Sequence, residues 1–254
     1  MSTTIILPTP VASSSITVGQ LLLDPLNPDF DSFINPNDSL PLRAPSVQSH
    51  YKESVSQDDN GRFTPNTLSS TYSSRENTVL VEADEMSYIT LRDSLAAFRY
   101  ISRRATSQSY LHKMALRRQP LYFVTGLKKL MNPSFKSTSS LRQFQSRLVS
   151  ETPTEDVIFA IEMRKVVSRV GSPEEPQGPA DMAYSWKHYQ LQGENDLQLA
   201  VGLGRPVEAA EFRAFAGISS GSDYTDESAE SSDFDFDDDE GPCCSSCISN
   251  AAYR

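Results

Sequence analysis

The residue types that could do covalent chemistry lie in contexts that do not support it. Residues 217–221 ("GISSG") fit the pattern G-x-S-x-G, in which the central serine, here Ser219, is a nucleophile on a tight turn between a strand and a helix. An acidic stretch follows here instead of a helical pattern, and no histidine lies downstream to activate the hydroxyl. We interpret the motif as a chance match, and we predict no catalytic residue.

Metal-ligating and nucleotide-binding residue types are also scattered. His50, His112 and His188 have no paired spacing, and residues 244–247 supply one C-x2-C, whereas a zinc site needs about four ligands. The aspartates of residues 223–240 lack the glycine turn and final glutamate of a calcium-binding loop. "VGLG" (201–204) lacks the third glycine of a dinucleotide site. The sequence predicts no metal and no cofactor, and favours a function other than catalysis.

The strongest chemical signal is the segregation of charge along the chain. Residues 223–240 hold ten acidic residues and no basic one, while residues 87–150 hold twelve basic residues and a single acid, Asp93. Segments this dense in one sign create local fields of their own. The predicted anion-binding residues are Arg92, Arg99, Arg103, Arg104, Lys113, Arg117, Arg118, Lys128 and Lys129; Lys136, Arg142 and Arg147 complete the twelve.

The basic segment has a bland interpretation and a functional one. The bland one is a helix whose solvated face is cationic without binding anything. The functional one is a surface for a polyanion, with a protein partner or an anionic membrane as the favoured ligand and nucleic acid as the less favoured one. Tyrosines interleaved with the cations, such as Tyr100 and Tyr110, suit either surface.

The acidic tail is predicted to act on the same surface. A flexible anionic segment tethered to a cationic surface has a high effective concentration there, so residues 223–240 would compete with an external polyanion. Phosphorylation would add charge to the tail, and S-acylation of its cysteines would give it a reversible membrane anchor. The candidate phosphorylation sites are Ser222, Thr225, Ser228, Ser231 and Ser232, and the candidate acylation sites are Cys243, Cys244 and Cys247.

Cysteine usage and the N-terminal sequence predict a cytoplasmic protein. No cysteine precedes Cys243, so no disulfide framework is expected in the body, as suits a reducing compartment. The N-terminal sequence "MSTTIILPTPVASSS" has no basic region before its apolar run, which Pro8 and Pro10 interrupt. Nowhere do the roughly 18 apolar residues of a membrane-spanning helix run together.

The elements that must position these residues suggest one domain with flanking arms. Residues 1–77 are predicted to be an irregular, partly disordered arm and linker, residues 78–217 the folded domain, and residues 218–254 a disordered tail. "TVLVEA" (78–83) is expected to be a strand. From Ser87, the predicted N-cap, apolar residues recur at spacings of three and four, which is typical of an amphipathic helix. Its apolar stripe is Tyr88, Leu91, Leu95 and Phe98.

The remaining pattern adds a helix at 108–118, strands at 121–131 and 156–167, two further strands between 182 and 204, and a closing helix at 206–217. In the strand at 156–167, Val157 and Ile161 are predicted to face the core, and Glu162 and Arg164 the other side. This order of elements predicts an α+β domain with a mixed or antiparallel sheet and amphipathic helices.

Two of these segments resemble a pattern in uncharacterised intracellular proteins of filamentous fungi. Those proteins place a YxVTG(L/I)K strand upstream of a (D/E)xxFAxxxRK strand, often after a helix like "LRDSLAAFRYI". Here "LYFVTGLKKL" (121–130) and "EDVIFAIEMRKV" (155–166) are similar to them, over about residues 85–170. The matching positions are Tyr122, Val124, Thr125, Gly126, Leu127, Lys128, Phe159, Ala160, Arg164 and Lys165.

Some of these proteins invite comparison with gasdermin-like pore formers, whose basic helices and extendable strands act on acidic membranes. The resemblance implies no catalytic residue for this chain. The favoured hypothesis is a non-enzymatic interaction or regulatory protein whose basic surface is masked by its acidic tail. A membrane-active, gasdermin-like pore-forming effector and a small-molecule enzyme of unrecognised type are the alternatives.

Overall fold

The computed structural model describes residues 4–34, 40–58, 60–64, 78–137, 155–172, 179–191 and 197–218. All of these belong to one compact unit, Met1–Ser219. Ser219, Arg142 and Arg147 lie outside the described residues, as do all the candidate phosphorylation and acylation sites of the tail.

The described elements are strands and three helices. The strands are β1 (Ile5–Ala12), β2 (Leu21–Leu22), β3 (Ser46–Ser56), β4 (Thr78–Thr90), β5 (Leu121–Met131), β6 (Ser134–Ser137), β7 (Val157–Gly171), β8 (Ser185–Gln190) and β9 (Gln198–Pro206). The helices are α1 (Ser94–Ser102), α2 (Ala105–Arg117) and α3 (Ala209–Phe215), with one 3₁₀ turn at Pro179–Ala183.

The nine strands form one sheet in which every pairing is antiparallel. The order is β3-β4-β5-β7-β9-β8, with β2 beside β5 and β6 beside β4. β1 pairs with residues 157–161 of β7, and β9 pairs with residues 164–171 of the same strand. The predicted α+β class with an antiparallel sheet is confirmed.

Helices cover both faces of this sheet. Phe123 packs in a cluster with Phe98 of α1 and Leu111 of α2, while the next residue, Val124, packs with Phe212 of α3. Because successive residues of a strand point to opposite faces, α1 and α2 lie on one face of the sheet and α3 lies on the other. A third cluster fills the end of the sheet formed by β3, β4 and β6.

β7 is buried on both faces, so the prediction of one core face and one solvated face was wrong. Ile161 and Met163 pack on the α3 side and Val166 packs on the α1–α2 side. Glu162, expected on the solvated side, is only 4% exposed. A central strand with helices on both sides buries consecutive residues. An alternating sequence pattern then no longer distinguishes a core face from a solvated face.

Two segments predicted to be irregular are strands. Residues 1–14 were expected to be flexible, yet β1 begins at Ile5, which is fully buried with Leu7 beside α3 and β7. The register of β1 against β7 shifts between Ile6 and Val11, so Pro8 and Pro10 lie where the regular ladder is interrupted and no amide donor is required. The polar segment at 46–56 is β3, an edge strand that buries only Tyr51 and Val55.

The first helix begins later than its apolar spacing predicted. Residues 87–90 continue β4, and the N-cap of α1 is Asp93, whose carboxylate accepts hydrogen bonds from the amides of Leu95 and Ala96, both at 3.0 Å. Ser87 is therefore not a cap. The second helix is confirmed; its last residue is Arg117, and its C-cap Arg118, with φ of 52°, lies two residues before Pro120.

Candidate anion-binding surface

The cations of the first two helices are carried on a layer whose apolar side is fixed to the sheet. Phe98 and Ile101 of α1, with Leu111 and Met114 of α2, are almost fully buried against the strands. This anchoring turns the opposite side of each helix toward solvent. We define the helical layer as residues 92–118, which hold seven of the nine predicted anion-binding residues.

Three arginines of the helical layer are exposed and carry uncompensated charge. Within the part of the chain that the structure describes, Arg92, Arg103 and Arg118 form no ion pair and are solvent-exposed. Arg99 is half-buried, and its Nε lacks a described hydrogen-bond partner. An exposed guanidinium that no carboxylate neutralises is available to a phosphate or carboxylate from outside.

Arg104 is held against Tyr100 of α1. Its Nη2 donates a hydrogen bond of 2.8 Å to the Tyr100 hydroxyl, and its guanidinium carbon lies 5.1 Å from the centre of the Tyr100 ring. This cation–π contact fixes the direction of a long side chain at the junction of the two helices.

Lys113 and Arg117 share one internal counter-ion, Asp31. Lys113 Nζ lies 2.9 Å from Oδ1 of Asp31, and Arg117 Nη1 lies 2.7 Å from Oδ2. The hydrogen bond from Lys113, followed by that from Arg117, lowers the pKa of Asp31 below its usual 3.8. At neutral pH the carboxylate of Asp31 therefore neutralises part of the charge of these two cations.

Lys128 and Lys129 do not extend the helical layer as a pair. They are consecutive residues of β5, so their side chains lie on opposite faces of the sheet. Lys136 is in β6, where it and Lys52 both pair with Glu82. Those two partners, Lys136 first, lower the pKa of Glu82 to about 2. The binding role of Lys128 and Lys129 stays a prediction.

Two apolar side chains are exposed among the arginines. Leu116 of α2 is 67% exposed and Tyr100 of α1 is 50% exposed. Leu116 lies three residues after Lys113, about one helical turn, so these two side chains are neighbours on the surface of α2. The helical layer therefore combines positive charge with apolar surface.

Sequence reasoning missed a buried carboxylate on β7. Glu162 Oε1 accepts hydrogen bonds from the Tyr88 hydroxyl at 2.6 Å and from the Thr4 hydroxyl at 3.1 Å. Gly126, its neighbour on β5, leaves room for it, since a Cβ there would lie 2.9 Å from Oε2. Burial, with the hydrogen bond to Glu162, raises the pKa of Tyr88 to about 12. A paired and enclosed group of this kind suits a structural role.

The glycines of "VGLG" serve packing. Gly202 and Gly204 lie on one side of β9, beneath the rings of Tyr184 and Trp186, and a Cβ on Gly204 would come within 2.5 Å of the Tyr184 ring.

The described residues contain no group of three or more His, Cys, Asp or Glu side chains arranged to hold a metal ion. Within the same residues no helix has both the length and the apolar character needed to cross a bilayer.

Comparison with known proteins shows a distant structural likeness. The sequence matches no family model and no curated protein, so the resemblance to the fungal proteins gains no support there. Among solved structures, the chain is similar to a bacterial gasdermin from Bradyrhizobium tropiciagri at 10% sequence identity, over 64% of this chain and 82% of that one. The TM-score is 0.32, a value at which the likeness assigns neither family nor function.

Proposed function

We propose that the protein is a non-enzymatic interaction protein that binds anionic membrane surfaces through the helical layer, residues 92–118. The observation that carries the proposal is that three exposed arginines, Arg92, Arg103 and Arg118, have no counter-ion among the described residues, on a layer that also exposes Leu116 and Tyr100. A surface that is both cationic and apolar suits the boundary between lipid headgroups and acyl chains.

A lipid surface accounts for more of the helical layer than a nucleic acid does. Phosphates of either ligand would satisfy the arginines. Leu116, however, would gain little from a phosphodiester backbone, whereas it could enter the acyl boundary of a bilayer beside its cationic neighbours. Tyr100, with its hydroxyl held by Arg104, has the amphipathic ring that is common at membrane interfaces.

The acidic tail supplies the regulatory part of the proposal. Residues 223–240 carry ten negative charges on the same chain as the helical layer. Their tethering gives them a local concentration that a free competitor could match only at millimolar levels. Phosphorylation of the tail, for example at Ser228 or Ser231, would strengthen the competition because it adds charge.

The test is vesicle flotation with the full chain and with a chain ended after Gly221. Vesicles of phosphatidylcholine alone and with phosphatidylserine are compared at low and moderate salt. We expect the shortened chain to bind the anionic vesicles more tightly than the full chain does. Neither chain should bind the neutral vesicles. Equal binding by the two chains would contradict the masking of the surface by the tail. If neither chain binds, the protein does not act on anionic membranes.

Two further readouts separate the other hypotheses. Release of an encapsulated dye on binding would mean that the protein permeabilises the bilayer, as the pore-forming alternative requires. Binding of RNA by the shortened chain at an affinity equal to or above that for anionic vesicles would favour nucleic acid as the ligand.

A further inference from the structure

The cations of the helical layer are of two kinds, which differ in whether the protein itself supplies their counter-ion. Arg92, Arg103 and Arg118 have none among the described residues, whereas Lys113 and Arg117 share the carboxylate of Asp31. We propose that Asp31 is a built-in competitor for the ligand of the helical layer: it occupies Lys113 and Arg117 until the phosphates of an anionic surface displace it. This inference rests on the proposed function.

Asp31 has the geometry of a bidentate anionic ligand. Its Oδ1 lies 2.9 Å from Lys113 Nζ and its Oδ2 lies 2.7 Å from Arg117 Nη1, so one carboxylate spans two cations that are one helical turn apart. A phosphate group presents oxygens at a similar spacing to the same pair. The lowered pKa of Asp31 agrees with this contact, since the hydrogen bonds from Lys113 and Arg117 stabilise the charged form of the carboxyl.

The loop that carries Asp31 is attached by contacts that do not need its carboxylate. The Tyr110 hydroxyl donates a hydrogen bond of 2.6 Å to the backbone carbonyl of Asp31, and the rings of Phe33 and Tyr110 stack at 5.2 Å. Two backbone hydrogen bonds of 2.9 Å join Phe33 to Leu21. The carboxylate can therefore leave the cations while the loop stays in place.

The ion pairs themselves are exposed enough to exchange. The side chains of Lys113 and Arg117 are about half exposed, and that of Asp31 is one-quarter exposed. Exposed ion pairs contribute little net free energy because water and salt screen them. A membrane that offers many phosphates at once can compete with a single carboxylate, provided that the free arginines of the layer have already brought it close.

Removal of this carboxylate should strengthen binding. In the full chain, Asp31→Asn is expected to bind phosphatidylserine vesicles about fivefold more tightly at ~0.1 M salt, as follows from about one unit of charge near an anionic bilayer. Asparagine tolerates the φ of 44° at this position. Asp31→Gly, which also tolerates it, provides a second variant without the carboxylate.

Asp58→Asn is the matched control. Asp58 also pairs with one cation, Arg62, whose guanidinium donates to the carbonyls of Ala216 and Gly217 after α3, away from the helical layer. The Asp58→Asn substitution removes one negative charge from the protein, as Asp31→Asn does. If binding depended on net charge alone, this control would gain as much as Asp31→Asn, and the inference would be overturned.

A double-mutant cycle assigns the gain to the two cations of α2. Lys113→Gln with Arg117→Gln should weaken binding less in the wild-type chain, where Asp31 already opposes these cations, than in Asp31→Asn, and should abolish the gain of Asp31→Asn. A gain that survives this pair of substitutions contradicts the inference. If the wild-type chain binds anionic vesicles and neither Asp31 variant binds more tightly, the inference fails while the proposed function stands. If no variant binds at all, the proposed function fails and the inference with it.

Discussion

Glu162 shows how one side chain can tie the sheet together. Its carboxylate is enclosed on β7, yet it accepts hydroxyl donors from Tyr88 of β4 and from Thr4 beside β1, so a single group joins three parts of the chain far apart in sequence. A buried charged group is tolerated only when its oxygens are hydrogen-bonded. Its partners are therefore expected to contribute to stability.

Tyr88→Phe should destabilise the protein by about 1–3 kcal/mol at neutral pH, because it leaves a buried carboxylate oxygen with one donor fewer. Urea unfolding followed by circular dichroism measures the loss. Tyr100→Phe is the control, since Tyr100 is half exposed and its hydroxyl is hydrogen-bonded to Arg104 at the surface. Equal losses in the two variants would argue against a structural role for the buried bond.

The pH dependence provides an independent check on Tyr88. Its pKa in the fold is about 12, against 10.0 for a free tyrosine, so between these values the unfolded chain loses the phenolic proton while the folded chain keeps it. Stability from this group is therefore present below pH 10 and lost as the pH rises toward 12. Tyr88→Phe should lose less stability over this interval than the wild type. The pKa of Tyr110, also raised to about 12 by burial, and that of Tyr122, also raised by burial, contribute to the loss that remains.

At the scale of elements, the sequence predicted best where one physical signal acted alone. β5 was predicted from its apolar, β-branched residues between Pro120 and Asn132, and the structure has the same bounds. α2 was predicted at 108–118, ended by the proline after it, and the structure has it at Ala105–Arg117. β3 was missed because an edge strand gains its pairing from β4 through the backbone, and its polar side chains carry no apolar period.

The start of α1 was misplaced because two periodicities overlap. Tyr88 and Leu91 fall on the helical spacing with Leu95 and Phe98, although Tyr88 belongs to β4 and is hydrogen-bonded to Glu162. Asp93 supplies the boundary that the apolar spacing conceals, since its carboxylate caps the first turn. Apolar spacing alone did not locate the helix, and an N-cap residue directly before Ser94 was the better signal.

Asp93→Ala should therefore cost about 1 kcal/mol of stability and increase amide exchange in the first turn of α1, because two backbone amides lose their acceptor. Hydrogen exchange followed by mass spectrometry measures the local effect. Ser87→Ala, at the position predicted from the sequence alone, should leave exchange in α1 unchanged. If Ser87→Ala increased exchange in the first turn and Asp93→Ala did not, the helix would begin after Ser87, as the apolar spacing predicted.

At the scale of the whole molecule, part of the candidate surface was predictable and part was not. Consecutive lysines in a predicted strand must lie on opposite faces, so the separation of Lys128 from Lys129 follows from the sequence. The pairing of Asp31 with Lys113 and Arg117 spans more than 80 positions and depends on where a loop crosses α2, which no local pattern encodes. Charge density identified the segment, and the fold determines which of its cations are free.

The central claim is that the protein binds anionic membranes through α1 and α2. Because helices lie on both faces of the sheet, this claim can be tested with two variants that lose the same net charge from opposite faces. Arg103→Gln with Arg118→Gln removes two cations of the helical layer that have no ion-pair partner among the described residues. Arg205→Gln with Arg213→Gln removes two cations from the α3 side of the same sheet. Binding to phosphatidylserine vesicles at ~0.1 M salt should fall about thirtyfold in the first variant and less than twofold in the second. Equal losses in the two variants would contradict a membrane-binding surface on α1 and α2.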